Sequence, residues 1–353
     1  MNQFSHSPTE HKTIYKNALD GLQKQESETI ELTVTSPPYP MIEMWDDIFA
    51  RCDEKIETAI NNENWDTAHE QMHQYLNKIW REVIRVTKDN SIIAINIGNA
   101  TRRTNNSFKL FSNTAKIIEF FTNNGCEMLP FIHWNKASNK SSSFMGSGMI
   151  PTNAYVTNDH EYILLFRKGT GTRDFPPKHT PRYESAYFWE ERNEWFSDRW
   201  TFQGTLQQID NADRDRSGAF PPTLPYRIIN MYSIYDDTVL DPFLGTGTTQ
   251  FVATALGRNS LGFELDTKLQ KPLENQLEIV SNWSKEQMNQ RITEHKQYVQ
   301  KSEYDFPYES KYGPVKTKRE KDITLPIAQN NKIKEKNDDV LQWKTQISKF
   351  NQN

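Results

Sequence analysis

The segment TVTSPPYP, residues 33 to 40, ends a short apolar run on a serine, two prolines and a tyrosine. Proline has no backbone donor and fixes its own φ, so the run cannot continue as a sheet ladder and stops in a rigid corner. Each proline also holds the residue before it extended, which sets the carbonyl directions before any ligand arrives. Such a corner can grip a flat group bearing an amine. Ser36 Oγ and the Pro37 carbonyl would accept its N–H groups, Pro38 would stiffen the bend, and Tyr39 would supply a ring to stack on. An amine conjugated to an aromatic ring is a poor nucleophile, and acceptors on both N–H groups draw the nitrogen toward sp³ geometry and free its lone pair. The same residues also read as a PxxP docking peptide through Pro37 and Pro40.

The second chemical segment is DPFLGTGTT, residues 241 to 249. An apolar strand ends at Asp241, a Gly-x-Gly loop follows, a helix starts near Thr248, and a further strand ends in Glu264. Glycines at such a turn let a ligand approach the backbone, and the helix offers free N–H groups. No lysine follows the second glycine, so this is not a P-loop, and the third glycine of a pyrophosphate fingerprint is missing. Asp241 would repel a phosphate and attract a cation or amine. An acid ending the next strand, roughly 20 residues on, suits the two hydroxyls of a ribose. S-adenosylmethionine satisfies all three demands, whereas the bland alternative is a tight strand–helix turn without a ligand.

A third pattern, HEQMH at residues 69 to 73, has zinc-protease spacing and places two histidines on one helix face. The extended form of that motif needs glycine where Leu76 stands, and Trp65, Met72, Tyr75 and Trp80 crowd the same helix. A packing helix without metal is expected.

These residues need a scaffold. Strands are predicted in TIYKNALDGL, TIELTV, SIIAINIG, MLPFIHWNK, HEYILLFRKG, TVL and NSLGFELD, with helices at 44–86 (broken near INNENW), in NTAKIIEFFTNNG, in LPYRIINMYS, in QFVATALG and on to about residue 300. Alternating strands and helices imply an α/β protein with a mixed, mostly parallel seven-stranded sheet covered on both faces. Over 353 residues, 42 basic and 46 acidic side chains give a net charge of -4, so any nucleic-acid surface must be local. Mean hydropathy is -0.81, which predicts long polar loops. Cys52 and Cys126 have no metal or disulfide spacing, and neither a signal peptide nor a membrane span is read, so a cytoplasmic location is expected.

TSPPY together with DPFLGTGTT resembles the amino-methyltransferases of bacterial DNA that act on the exocyclic nitrogen of cytosine or adenine. The corner precedes the cofactor loop, as in the circularly permuted class called β. The resemblance covers roughly residues 14 to 270 and implies a Rossmann-like methyltransferase fold with an inserted recognition region. It gives Ser36, Pro37, Pro38 and Tyr39 the target base. Asp241, Phe243, Gly245, Thr246, Gly247, Thr248 and Phe220 would surround the methionine end of S-adenosylmethionine, with Glu264 at its ribose. Where the family often has Gly-Asp against the adenine, this chain has Lys16-Asn17, and Asn17 can still hydrogen-bond there. Serine at the head of the tetrad resembles the N4-cytosine group more than the N6-adenine group.

The implied organisation is a catalytic half at 1–169, a target-recognition region at 170–219, a cofactor-binding half at 220–300, and a polar, charged tail at 301–353 expected to be disordered. Arg173, Lys178, Arg182, Arg199, Arg214 and Arg216 are the cations available to DNA. The expected partner is double-stranded DNA, with a cognate restriction endonuclease encoded nearby and no membrane. Three rivals stay open: an N6-adenine enzyme, a methyltransferase acting on RNA or protein glutamine, and a non-enzymatic PxxP module.

Overall fold

The structure, a computed structural model, describes residues 7–103, 108–136, 145–146, 149–204 and 220–351. The strands of its main sheet are β1 (Thr9–Ile14), β2 (Ile30–Thr35), β3 (Thr87–Ile97), β4 (Cys126–Met128), β5 (Ile132–Lys136), β6 (His160–Lys168), β7 (Arg199–Phe202), β8 (Thr238–Asp241), β9 (Asn259–Phe263), β10 (Pro326–Lys336) and β11 (Val340–Lys349). The helices used below are α1 (Ala18–Leu22), α2 (Asp46–Cys52), α3 (Glu54–Asn61), α4 (Trp65–Val86), α5 (Asn113–Asn123), α6 (Thr180–Glu184), α7 (Trp189–Trp195), α8 (Thr223–Tyr232), α9 (Thr248–Ala255) and α10 (Gln270–Lys301).

The sheet runs β7-β5-β6-β3-β2-β8-β9-β1-β11-β10, with β4 also paired to β6. Its centre, β3 to β1, is parallel, and β6 and β11 join it antiparallel on either side. Both faces of the centre are buried, which is why β2 and β3 read as nearly continuous apolar, β-branched runs. Side chains alternate across the pleat. Leu32, Val34, Ile92, Ala94 and Val239 pack with α8, α9 and α10, whereas Ile93, Ile95, Ile97 and Leu240 pack with α1, α4 and α5.

The seven expected strands all lie in this sheet, but it has eleven members. The largest correction concerns the segment at 301–353, which is not a disordered tail. Residues 326–349 form a hairpin whose β11 pairs antiparallel with β1, placing Trp343 opposite His11. Leu341, Trp343 and Thr345 alternate with polar residues along β11 and are buried. Lysines and glutamates on the exposed row dominated the composition and hid this period of two. On β10, the last strand of the sheet, those charges guard an open edge against further pairing.

The region 170–219 also differs from its expected loss of pattern. It contributes α6, α7 and β7, and Phe188, Trp195 and Trp200 join the main core rather than a core of their own.

Candidate active site

Because β2 and β8 are parallel neighbours, with Leu32 opposite Val239 and Thr33 opposite Leu240, the chain leaves both at the same end of the sheet. β9 lies beside β8 and delivers Glu264 to that end as well. Ligands of open α/β sheets bind outside these carboxyl ends. A cavity of about 520 Å³ opens there, and Ser36, Pro37, Pro38 and Tyr39 line it. Asn17, Phe220, Asp241 and Phe243 also line it, as do Gly245, Thr248 and Glu264.

Thr246 and Gly247 do not line the cavity. The Thr246 carbonyl accepts from Gln276 Nε2 at 2.9 Å. Gly247 has φ of +91°, and a Cβ there would come within 2.3 Å of Leu273 Cδ1. Glycine at 247 therefore serves the left-handed turn and the close approach of α10.

Asp241 is buried at the tip of β8. Its Oδ1 accepts from Thr35 Oγ1 at 2.6 Å and from the Phe243 amide at 3.1 Å, and its Oδ2 accepts from Thr249 Oγ1 at 2.6 Å. Burial pushes its pKa up to about 6, against the lowering effect of those three donors. The Glu264 carboxylate is oriented by two backbone amides, of Gly245 at 2.7 Å and of Asp266 at 2.8 Å. Asn17 caps α1 through the Leu19 amide and donates to Tyr75 Oη at 2.7 Å.

The corner carries a directed hydrogen-bond chain. Tyr39 Oη donates to Glu161 Oε2 at 2.9 Å, and accepts from Ser36 Oγ at 3.2 Å and from Asn96 Nδ2 at 2.8 Å. Asn96 Nδ2 also reaches Glu161 Oε2 at 2.6 Å, and Lys136 pairs with the other carboxylate oxygen. An ionised carboxylate only accepts, so the tyrosine proton points to Glu161 and the serine proton points to the tyrosine. Ser36 Oγ is left with its lone pairs as the means to bind anything else. Burial, and then the Glu161 charge, hold the Tyr39 pKa well above its ordinary value, so the phenol stays protonated. Asn96, Glu161 and Lys136 belong to β3, β6 and β5, and nothing in their local sequence marks them; only the sheet brings them to Tyr39.

Among the described residues, no group of histidine, cysteine and carboxylate side chains has the arrangement to hold a metal ion, the histidines of HEQMH included. Both of those histidines face Asn113 instead. Pro37 and Pro40 are buried, so they are not displayed as a docking peptide. Among the cations expected to meet DNA, Arg173 forms a two-pronged ion pair with Asp237 at 2.6 and 2.7 Å. Arg173 and Arg182 line a different cleft, shared with Asn90 and Ile92 at the start of β3, at the opposite end of the sheet. Lys178 and Arg199 are exposed, whereas Arg214 and Arg216 lie outside the described residues. Among the described residues, no helix is long and apolar enough to cross a membrane.

Comparison with known proteins agrees with this arrangement. A family described as DNA methylase, covering N6 and N4 methyltransferases, matches residues 30–274. The chain is 46% identical over 322 residues to the type II methyltransferase M.MthZI of Methanothermobacter thermautotrophicus, covering 90% of each chain. It is 47% identical over 282 residues to M.MjaI of Methanocaldococcus jannaschii, covering 77% of this chain and 92% of that one. Among solved structures, it resembles TTHA0409 of Thermus thermophilus, described as a DNA modification methylase and complexed with S-adenosyl-L-methionine. That likeness has a TM-score of 0.59 and 26% identity, and covers 76% of this chain and 95% of the other. A family match across two thirds of the sequence, centred on the strands that form the cavity, decides the question: this chain belongs to the S-adenosylmethionine-dependent DNA methylases of the N6/N4 family.

Proposed function

We propose that this methylase modifies the exocyclic N4 of a cytosine flipped out of double-stranded DNA. The observation that carries the proposal is the meeting of Ser36–Tyr39 with Asp241, Phe243 and Glu264 around one cavity. Its volume falls in the range of about 300–1,000 Å³ typical of small-molecule sites.

The residues present suit S-adenosylmethionine. Asp241 offers a carboxylate to a positively charged group, Glu264 an acceptor for ribose hydroxyls, and Phe220 and Phe243 apolar surface. The cofactor, when bound, supplies an electrophilic methyl on its sulfonium. The chain's own part is positional. Ser36, fixed as an acceptor by Tyr39 and Glu161, and the Pro37 carbonyl take the two N–H groups of the base amine. The Tyr39 ring stacks on the base, and solvent removes the proton after transfer. A base extruded from a duplex gives such a corner its planar, amine-bearing ligand.

The serine at position 36 favours cytosine over adenine. The order of corner before cofactor loop supports assignment to the permuted β class. The recognition region is proposed within 170–219, in its part beyond β7. The chain leaves β7 beside β5, whose last residue, Lys136, reaches Glu161, and returns at Phe220 on the cavity wall. A role protecting host DNA beside a cognate restriction endonuclease, in the cytoplasm, completes the reading.

Digestion of DNA methylated by the purified protein into nucleosides tests it. N4-methylcytosine is expected, and N6-methyladenine as the sole product would overturn the choice of base.

A further inference from the structure

The HEQMH segment has a use that the methylase reading leaves unassigned. His69 and His73 stand one turn apart on α4, with ring centroids 4.7 Å apart. Each places Nε2 at 3.0 Å from the same atom, Oδ1 of Asn113, the first residue of α5. Asn113 is completely buried. Its Nδ2 donates to the Pro40 carbonyl at 3.1 Å and to the Gly98 carbonyl at 3.0 Å. Two carbonyls on one side fix which end of the amide carries the N–H groups, since a flipped amide would set oxygen against oxygen. The amide oxygen in turn requires both histidines to carry hydrogen on Nε2. His73 Nδ1 is buried without a partner, as a bare lone pair can be and a buried N–H rarely is. Every hydrogen-bonding position of Asn113 is thereby used.

Both carbonyls belong to the surroundings of Tyr39. Pro40 is its chain neighbour. Gly98 lies against the ring, and a Cβ there would stand 3.2 Å from Tyr39 Cε2. The amide therefore ties together the backbone that follows the tyrosine and the backbone that supports its ring. The charged groups around the histidines are Lys116 on α5, ion-paired with Glu70 at 2.6 Å, and Asp66, paired with Lys109; Phe111 packs edge-on against His69.

We propose that His69, His73 and Asn113 form a neutral hydrogen-bond brace that positions the Ser36–Tyr39 corner for methyl transfer. The inference rests on the reading of that corner as the base-binding site. None of the three lines the cavity, so they are positioning residues. Proton uptake by the pair would put two like charges on adjacent turns, so the brace works only while both imidazoles are uncharged.

The test uses Asn113→Asp in the full-length protein. A carboxylate still accepts from both histidines but donates nothing to Pro40 or Gly98. Turnover on duplex DNA is expected to fall at least tenfold, while the dissociation constant for S-adenosylmethionine stays within twofold. The acid limb of the kcat profile is expected to move to higher pH, because the new charge stabilises imidazolium. His73→Gln, which can still donate to Asn113, is expected to keep most of the turnover that His73→Leu loses, and this pair decides the matter should Asn113→Asp not fold. Unaltered kcat in Asn113→Asp, parallel loss of kcat and cofactor binding, or equal turnover of the two position-73 variants would overturn the brace. Wild-type protein that binds S-adenosylmethionine but methylates no DNA would overturn the reading of the corner, and the brace with it.

Discussion

Thr35 donates a hydrogen bond of 2.6 Å to Asp241 across the seam between β2 and β8, although 206 residues separate them. One link joins the strand that ends in the base-binding corner to the strand that ends in the cofactor loop. It also sets the charge state of the site. Asp241, raised to about 6 by burial, is mostly ionised at pH 7 and mostly protonated at pH 5. A cationic cofactor binds the ionised form better. Affinity for S-adenosylmethionine is therefore expected to weaken below pH 6, by up to about tenfold per pH unit. Titration calorimetry across pH 5 to 8 checks this, and a flat dissociation constant would remove Asp241 from cofactor binding. Asp241→Asn is expected to weaken binding at pH 7.5 without lowering thermal stability, because it removes a buried charge.

Tyr39 and Glu161 are expected to separate turnover from cofactor binding. Tyr39→Ala removes the stacking ring, for which about 1–3 kcal/mol per base is typical, or roughly 5- to 150-fold in transition-state stabilisation. Glu161→Gln leaves the ring but ends the rule that Tyr39 must donate outward, so Ser36 is no longer fixed as an acceptor. A smaller loss, about tenfold in kcat, is expected. Both variants should bind S-adenosylmethionine as the wild type does. Equal losses of turnover and cofactor affinity would contradict the assigned roles.

Gly98 tests how closely the corner is fitted. An added Cβ would lie 3.2 Å from the Tyr39 ring and 3.3 Å from Glu161 Cγ, so one of them must yield by a few tenths of an ångström. Displacement on this scale matters more to an aligned reaction than to folding. Gly98→Ala is expected to lower kcat severalfold while the urea midpoint moves little. Unchanged kinetics would show that the ring has room to spare.

The central fold was legible because its signals are local. Ile92 to Ile97 announce a strand buried on both faces, and the glycines of 245 and 247 mark the turn after β8. The corner and the cofactor loop could be read for the same reason: proline and glycine impose backbone geometry within a few residues. Glu161, Asn96 and Asn113 could not be read this way. Each is an ordinary polar residue whose role exists only once β3, β6 and α5 are side by side. His69 and His73 were visible as a pair, but their spacing fits a shared acceptor as well as a shared metal. The hairpin at 326–349 was missed because its charged row outweighed Leu341 and Trp343 in composition.

That hairpin makes a stability prediction. Trp343 is fully buried and stacks on His11 with ring centroids 5.0 Å apart. Trp343→Ala is expected to cost about 3–5 kcal/mol, measured as a lower urea midpoint at constant slope. A disordered tail would give no change.

Acid should destabilise the protein through its buried histidines. His11 and His73 are held neutral by burial, each lowered to about 3, and His69 is lowered for the same leading reason. The unfolded chain binds protons at an ordinary histidine pKa of about 6.5 and the folded chain does not, so stability falls as pH drops below that value. At pH 5, His11 and His73 would each contribute a loss of about 2 kcal/mol relative to neutral pH. Asp241 acts with the opposite sign. Its raised folded pKa makes the native state take up a proton first, which returns about 1 kcal/mol between pH 7 and 5. A net loss of about 3 kcal/mol is expected from these groups, and Asp241→Asn, lacking the offset, should lose more. Urea unfolding at pH 7 and pH 5 measures the difference. Equal stability at both values would mean that these histidines titrate in the native state and are not held neutral by their surroundings.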